Sequence, residues 1–196
     1  MELATESNWE AQVVQATQGW LERAVIGLNL CPFAKAVHVK QQVRYAVCAS
    51  DDPAVLLQDL RRELLHLAAA DPEQLDTTLL IAPRCLPDFL DFNDFLSAAD
   101  ALLEELGLEG DYQIADFHPR YQFAGTEVDD MGNFSNRAPY PTLHLLREDS
   151  IDRAVEAFPE ADAIFEQNIA RLEQLGPAGW QALDVGPHLG QQKDAP

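Results

Sequence analysis

Apolar positions along the chain change period several times, and each change marks an element. Val13, Val14, Trp20, Leu21, Ala24, Val25 and Leu28 recur at helical spacing. They follow Ser7-x-x-Glu10, a capping-box pattern. A first helix is therefore expected over about 8–28, weakened by Gly27 and Asn29 and stopped by Pro32. Val43 to Cys48 is rich in strand formers. Asp51-Asp52-Pro53 then supplies an N-cap with proline in the first turn. Leu56, Leu57, Leu60, Leu64 and Leu67 form the stripe of a second helix that stops at Asp71-Pro72.

Thr77-Thr78-Leu79-Leu80-Ile81-Ala82 shows no alternation and reads as a central strand buried on both faces. Pro83 ends it. A third helix follows over about 87–106, with Gly107 as its C′ residue. Tyr112–Phe117 and Thr142–Leu146 are two more strands. Asp149 or Ser150 caps a short helix to Ala157, Phe158-Pro159 breaks it, and a last helix runs over about 161–174 to Gly176-Pro177. Trp180 and Leu183 are placed to fold back on the body. Strand–helix alternation predicts the α/β class: a sandwich with a small mixed, mostly parallel four-stranded sheet flanked by helices. One domain is expected over 1–185, with 186–196 a flexible C-terminal tail.

Charge narrows the partners. Among 196 residues, 33 Asp and Glu face 13 Lys and Arg, a formal net charge of -20. Such a surface repels a phosphate backbone, so no nucleic-acid partner is expected. No apolar run reaches the length of a membrane span, and the N-terminus lacks the basic start and apolar stretch of a signal peptide. Cys31, Cys48 and Cys85 are odd in number and widely spaced, which argues against a disulfide framework or a zinc knuckle. A cytoplasmic, reducing location is the expectation. The sequence leaves the cofactor and the oligomeric state undetermined.

One segment is not explained by folding. His118 to Pro141 has neither helical nor strand period. It carries Tyr121, Phe123, Phe134 and Tyr140, aromatic residues that disordered linkers generally lack. It also carries His118, Arg120, Asn136 and Arg137, residue types that bind anions and transfer protons. Long loops in compact domains are commonly functional. The plain alternative is a packed Ω-loop whose polar groups satisfy its own backbone. Ligands in open α/β sheets sit beyond the carboxyl ends of parallel strands, here Cys48-Ala49-Ser50, Pro83-Arg84-Cys85 and His118-Pro119.

His118 and His144 are the candidate acid–base residues, and Cys31 a candidate nucleophile beside a helix end and near Lys35. Cys31 reads equally as a small buried apolar residue; Cys48 and Cys85 read as core. Arg137, Tyr121, Asn136 and Arg147 are the candidate binding residues, Arg137 as an anion clamp or as a strut paired with Asp129 or Asp130. Asp116, His118 and His144 have metal-ligating chemistry, but two satisfied histidines in a half-buried sheet are favoured and no metal is assigned. Asn133-Phe134-Ser135 matches a glycosylation acceptor and is read as chance without a secretion signal.

Three stretches resemble the signature of a bacterial family, domain of unknown function 1415. They are Asn29-Leu30-Cys31-Pro32-Phe33, Phe117-His118-Pro119-x-Tyr121-Gln122-Phe123 and Asn136-Arg137-x-Pro139-Tyr140-Pro141-x-Leu143-His144-Leu145-Leu146-Arg147-Glu148. The resemblance spans residues 9 to 185. Ala138 stands where many relatives are expected to carry Ser, so no hydroxyl chemistry is assigned there. The resemblance implies no activity. Two readings stay open. One is a small-molecule enzyme acting on an anionic substrate through His, Cys and Arg chemistry in the 118–148 region. The other is a non-catalytic module binding a small molecule or a protein through the loop over 118–141. A concave pocket holding His118, Arg137 and His144 favours the first; bonds from these residues to backbone alone favour the second.

Overall fold

The computed structural model describes residues 2–157 and 163–186. Helix α1 (Glu2–Trp20) continues without a break into a π-helical turn (Leu21–Ile26). The helix thus begins before Ser7, which lies inside it and not at its cap. Gly27 closes the turn, where a Cβ would lie 2.3 Å from the Arg23 carbonyl oxygen. A short α2 (Ala34–Val39) follows, a helix too brief to leave an apolar period. Then come β1 (Val43–Val47), α3 (Pro53–Ala69), β2 (Thr77–Ile81), α4 (Phe89–Glu105) and β3 (Tyr112–Phe117). A 3₁₀ turn (Met131–Asn136), β4 (Thr142–Arg147), α5 (Glu148–Ala157) and α6 (Ile164–Ala182) complete the chain. The Phe158-Pro159 break, the start of the last helix at 161 and, apart from Gly186, the tail expected over 186–196 lie outside the described residues.

Local chemistry accounts for the element ends. The Asp52 carboxylate accepts from Ala54 N at 2.8 Å and caps α3, with Pro53 in the first turn. Asp88 does the same for α4 through Leu90 N at 2.9 Å. Gly107 adopts φ 66 beyond α4, as a C′ residue does. Gly176 leaves helical geometry inside α6 (φ 65, ψ 174), so the first run of α6 ends where Gly176-Pro177 places it.

The sheet order is β1-β2-β4-β3. β1 and β2 are parallel, with Val43 opposite Thr77 and Val47 opposite Ile81. β4 is antiparallel to both β2 and β3, with Ile81 and Phe117 both opposite Thr142. The α/β class is as expected, but the mostly parallel pairing is corrected: one pair is parallel and two are antiparallel. The cause is β4. It starts from the long loop at the edge where β3 ends, and it enters the central slot against the direction of the other three strands. Every residue of β2 is buried, as its unbroken apolar run requires.

Each face carries a helical layer. Leu56, Leu60, Leu64 and Leu67 of α3 and Phe92, Phe95, Ala99 and Leu102 of α4 pack on Leu80, Leu143 and Leu145. On the other face Val13 of α1 meets Leu79 and Ile81. Trp20, Leu21, Ala24 and Val25 gather Tyr45, Phe117, Ala138, Trp180, Leu183 and Val185. Trp180 and Leu183 therefore do fold back on the body. Among the described residues no helix is long and apolar enough to cross a membrane.

Candidate functional site

The loop over 118–141 is organised by Asn133, whose side chain is fully buried. Its Oδ1 accepts from Phe123 N and Thr126 Oγ1, each at 2.9 Å, and its Nδ2 donates to Glu127 O at 2.8 Å. Gln122 Nε2 donates to Thr126 O at 2.6 Å, and Asp130 caps the 3₁₀ turn by accepting from Gly132 N. These are the short-range side-chain-to-backbone bonds of a packed Ω-loop. α6 clamps the loop through edge-on rings: Phe134 on Trp180 at 5.1 Å and Phe123 on Phe165 at 6.0 Å. Asn133 was visible in the sequence only as a chance acceptor motif, and its burial hides the amide nitrogen from any modifying enzyme.

His118 closes the loop onto the α4 layer. Its Nδ1 accepts from Arg120 N at 3.0 Å, which assigns the proton to Nε2, facing Leu86 O at 3.2 Å. The ring sits against Phe89 and Phe92, at centroid distances of 5.5 and 5.2 Å. Desolvation drops its pKa to about 4, leaving it neutral near pH 7. Leu86, the residue it holds, has φ 53, a strained conformation for an apolar side chain.

His144 lies on the opposite face, 6.1 Å from the Phe117 ring. Thr77 Oγ1 donates to Leu145 O at 2.6 Å and so accepts from His144 Nε2 at 2.8 Å. Burial also pushes His144 down to about 4. Cys31 packs against the Trp20 cluster on that same face. Burial raises its thiol pKa, the reverse of an activated nucleophile. The three candidate catalytic residues are thus divided by the sheet, with His118 on one side and His144 and Cys31 on the other. Cys48 and Cys85 are core residues, as expected.

The candidate binding residues of the loop are also engaged. Arg137 donates from Nε to Tyr121 O at 3.2 Å and from Nη2 to Val128 O at 2.6 Å, and stacks over Phe134 at 4.2 Å. Its bonds go to carbonyls, and neither the Asp129 nor the Asp130 carboxylate lies within 4.0 Å of its guanidinium. Tyr121 hydrogen-bonds Asp116, and burial together with that carboxylate pushes its hydroxyl up to about 12. Asn136 donates to Asp116 O at 3.2 Å and accepts from Ser135 Oγ at 3.0 Å. Among the described residues no three His, Cys, Asp or Glu side chains group to hold a metal ion.

Arg147 differs. It is 8% exposed, at the edge of the sheet opposite the long loop. Nη2 donates to Leu67 O, Ala70 O and Leu75 O at 2.7, 2.9 and 3.2 Å, which gathers carbonyls from the end of α3 and from the turn before β2. Nη1 donates to Tyr112 Oη at 3.0 Å, and Nε is buried without a partner. No carboxylate of the described residues lies within 4.0 Å of this guanidinium. Arg147 lines a cleft of about 290 Å³ with Pro72, Asp111, Tyr112, Asp149 and Arg153.

A larger cleft, about 500 Å³, opens beside β1. His38 Nε2 lies 3.4 Å from Glu22 Oε1 there. The Tyr45 hydroxyl is buried without a partner, and burial with the Glu22 charge pushes it up to about 12. Sequence reading missed this trio. Its one signal was a His and a Tyr bracketing a strand start, which is too common to select.

The architecture is that of an α/β protein with a strutted loop at one sheet edge and a charged cleft at the other. The signature of the family described as "Protein of unknown function (DUF1415)" matches residues 12–182 of the 196-residue chain, and the chain belongs to that family. No curated protein and no solved structure matches the chain.

Proposed function

We propose that the protein is a small-molecule-binding module that takes an anionic group in the cleft formed by Tyr112, Arg147 and Arg153. One observation carries the reading: the buried Arg147 cation lines a cleft with no carboxylate within 4.0 Å among the described residues. A buried charge normally acquires a counter-charge. Helix-end carbonyls supply part of it, and an anionic ligand supplies the rest. The 118–141 loop is a structural brace in this reading, because His118, Asn136 and Arg137 bond to loop and strand backbone. A net charge of -20 argues against a nucleic-acid partner. Three free thiols fit a reducing cytoplasm.

A second, enzymatic reading rests on other residues than those of the 118–148 region: in the larger cleft Glu22 is placed to orient His38 beside an unpartnered Tyr45 hydroxyl. The binding module is preferred because Arg147 is buried, while Glu22 is largely exposed.

Amide NMR titration of the full chain with inorganic phosphate, acetate and succinate tests the proposal. Saturable shifts should cluster at Tyr112, Arg147 and Arg153. Arg153→Ala, an exposed change, should weaken binding about tenfold, the equivalent of one charge-assisted contact. Shifts confined to other surfaces, or none, would end the reading.

A further inference from the structure

The Arg147 cleft holds both signs of charge, and the two signs do not neutralise each other. Asp111 and Asp149 are exposed residues on its wall. Among the described residues neither carboxylate has a cation within 4.0 Å. Arg153 follows Asp149 by four positions on α5, a spacing that normally pairs them. It is instead drawn to Ser150 Oγ at 2.9 Å, and that hydroxyl is itself anchored on Asp76 at 2.6 Å. Glu148 N donates to Asp111 O at 2.9 Å, which holds the start of β3 beside the start of α5. Asp111 and Asp149 thereby face the same opening. Tyr112 Oη accepts from Arg147, so its own proton is available to a further acceptor.

We infer that this cleft recognises a small zwitterion of the α-amino-acid type. The carboxylate is received by the Arg147 and Arg153 guanidinium groups and the Tyr112 hydroxyl, and the ammonium by Asp111 and Asp149. The inference rests on the reading of Arg147 as an anion site. A simple anion meets two carboxylates in a chain of net charge -20. A simple cation meets two guanidinium groups. A ligand bearing both charges satisfies all four. Size agrees: about 290 Å³ holds the volume of about ten waters at ~30 Å³ each, room for an amino acid with a short side chain.

The test is a titration of the full chain at fixed ionic strength, read by amide NMR. The probes are glycine, serine and glutamine, with acetate and methylamine as single-charge counterparts. At least one amino acid should bind about tenfold or more tighter than acetate or methylamine. Asp149→Asn combined with Asp111→Asn should erase that advantage and leave acetate binding unchanged or tighter. Arg153→Ala should weaken amino acid and acetate alike. Acetate binding as tightly as every amino acid, with loss on Arg153→Ala, would overturn the zwitterion inference while the anion site stood. No saturable response at this cleft to any probe, or a response to methylamine alone, would overturn both.

Discussion

His118 makes the fold sensitive to acid in a way that can be worked out in advance. The side chain is fully buried, and both ring nitrogens are committed while it is neutral. Its pKa falls from 6.5 to about 4 on folding, because the charged form is desolvated. Above about pH 6.5 neither folded nor unfolded state binds the proton, and His118 contributes its full stability. As pH falls below that value the unfolded chain gains a proton that the folded chain refuses. Stability is therefore lost on acidification, between the unfolded and folded pKa values. With these two values the loss between about pH 7 and pH 5 is about 2 kcal/mol.

His144, also lowered to about 4, adds to the loss in the same direction. Asp116 works in the opposite sense. Its pKa is raised, chiefly by burial, so protonating it favours the folded state and trims the lower end of the effect. Urea unfolding followed by tryptophan fluorescence across this range measures the slope. His118→Gln should be less stable near neutrality, since it loses ring packing on Phe89 and Phe92, but its stability should fall less on acidification than that of the wild type. Direct NMR titration of the His118 ring in the wild type supplies the same answer without the variant. A ring pKa near 6.5, or an unchanged pH slope in His118→Gln, would refute the reasoning.

Two further outcomes follow from single side chains. Tyr45→Phe removes a buried hydroxyl without a partner, so thermal unfolding should show unchanged or higher stability, with a gain of up to about 1 kcal/mol; a clear loss would mean that the hydroxyl has a partner. Cys31, with its thiol pKa raised by burial, should react with iodoacetamide near neutral pH more slowly than a free cysteine, and peptide mass mapping that found it faster would return it to the nucleophiles.

Much of the fold is written in local pattern. The unbroken run Leu79–Ile81 marked a strand covered on both faces, and β2 is central. Asp52-Pro53 and Gly107 marked helix ends correctly, because caps satisfy backbone groups within a few residues of themselves. The sheet order was not legible. Apolar period states that a face is buried, not which strand lies beside it, and β4 reaches its place between β2 and β3 through pairings 25 to 67 residues apart in sequence. The candidate site divided in the same way. Residue type singled out His118, Arg137 and Arg147 as special. Their roles depend on groups remote in the chain: Phe89 and Phe92 from α4 neutralise His118, while carbonyls at the end of α3 hold Arg147. The sequence by itself determined the four strands, the main helices, the ends at Asp52 and Gly107 and the residues with unusual chemistry, while it missed α2 and misplaced the starts of α1 and α5, where Ser7, Asp149 and Ser150 lie inside the helices. Tertiary structure alone decided which of those residues face a cleft, because burial and pairing are properties of segments brought together only on folding.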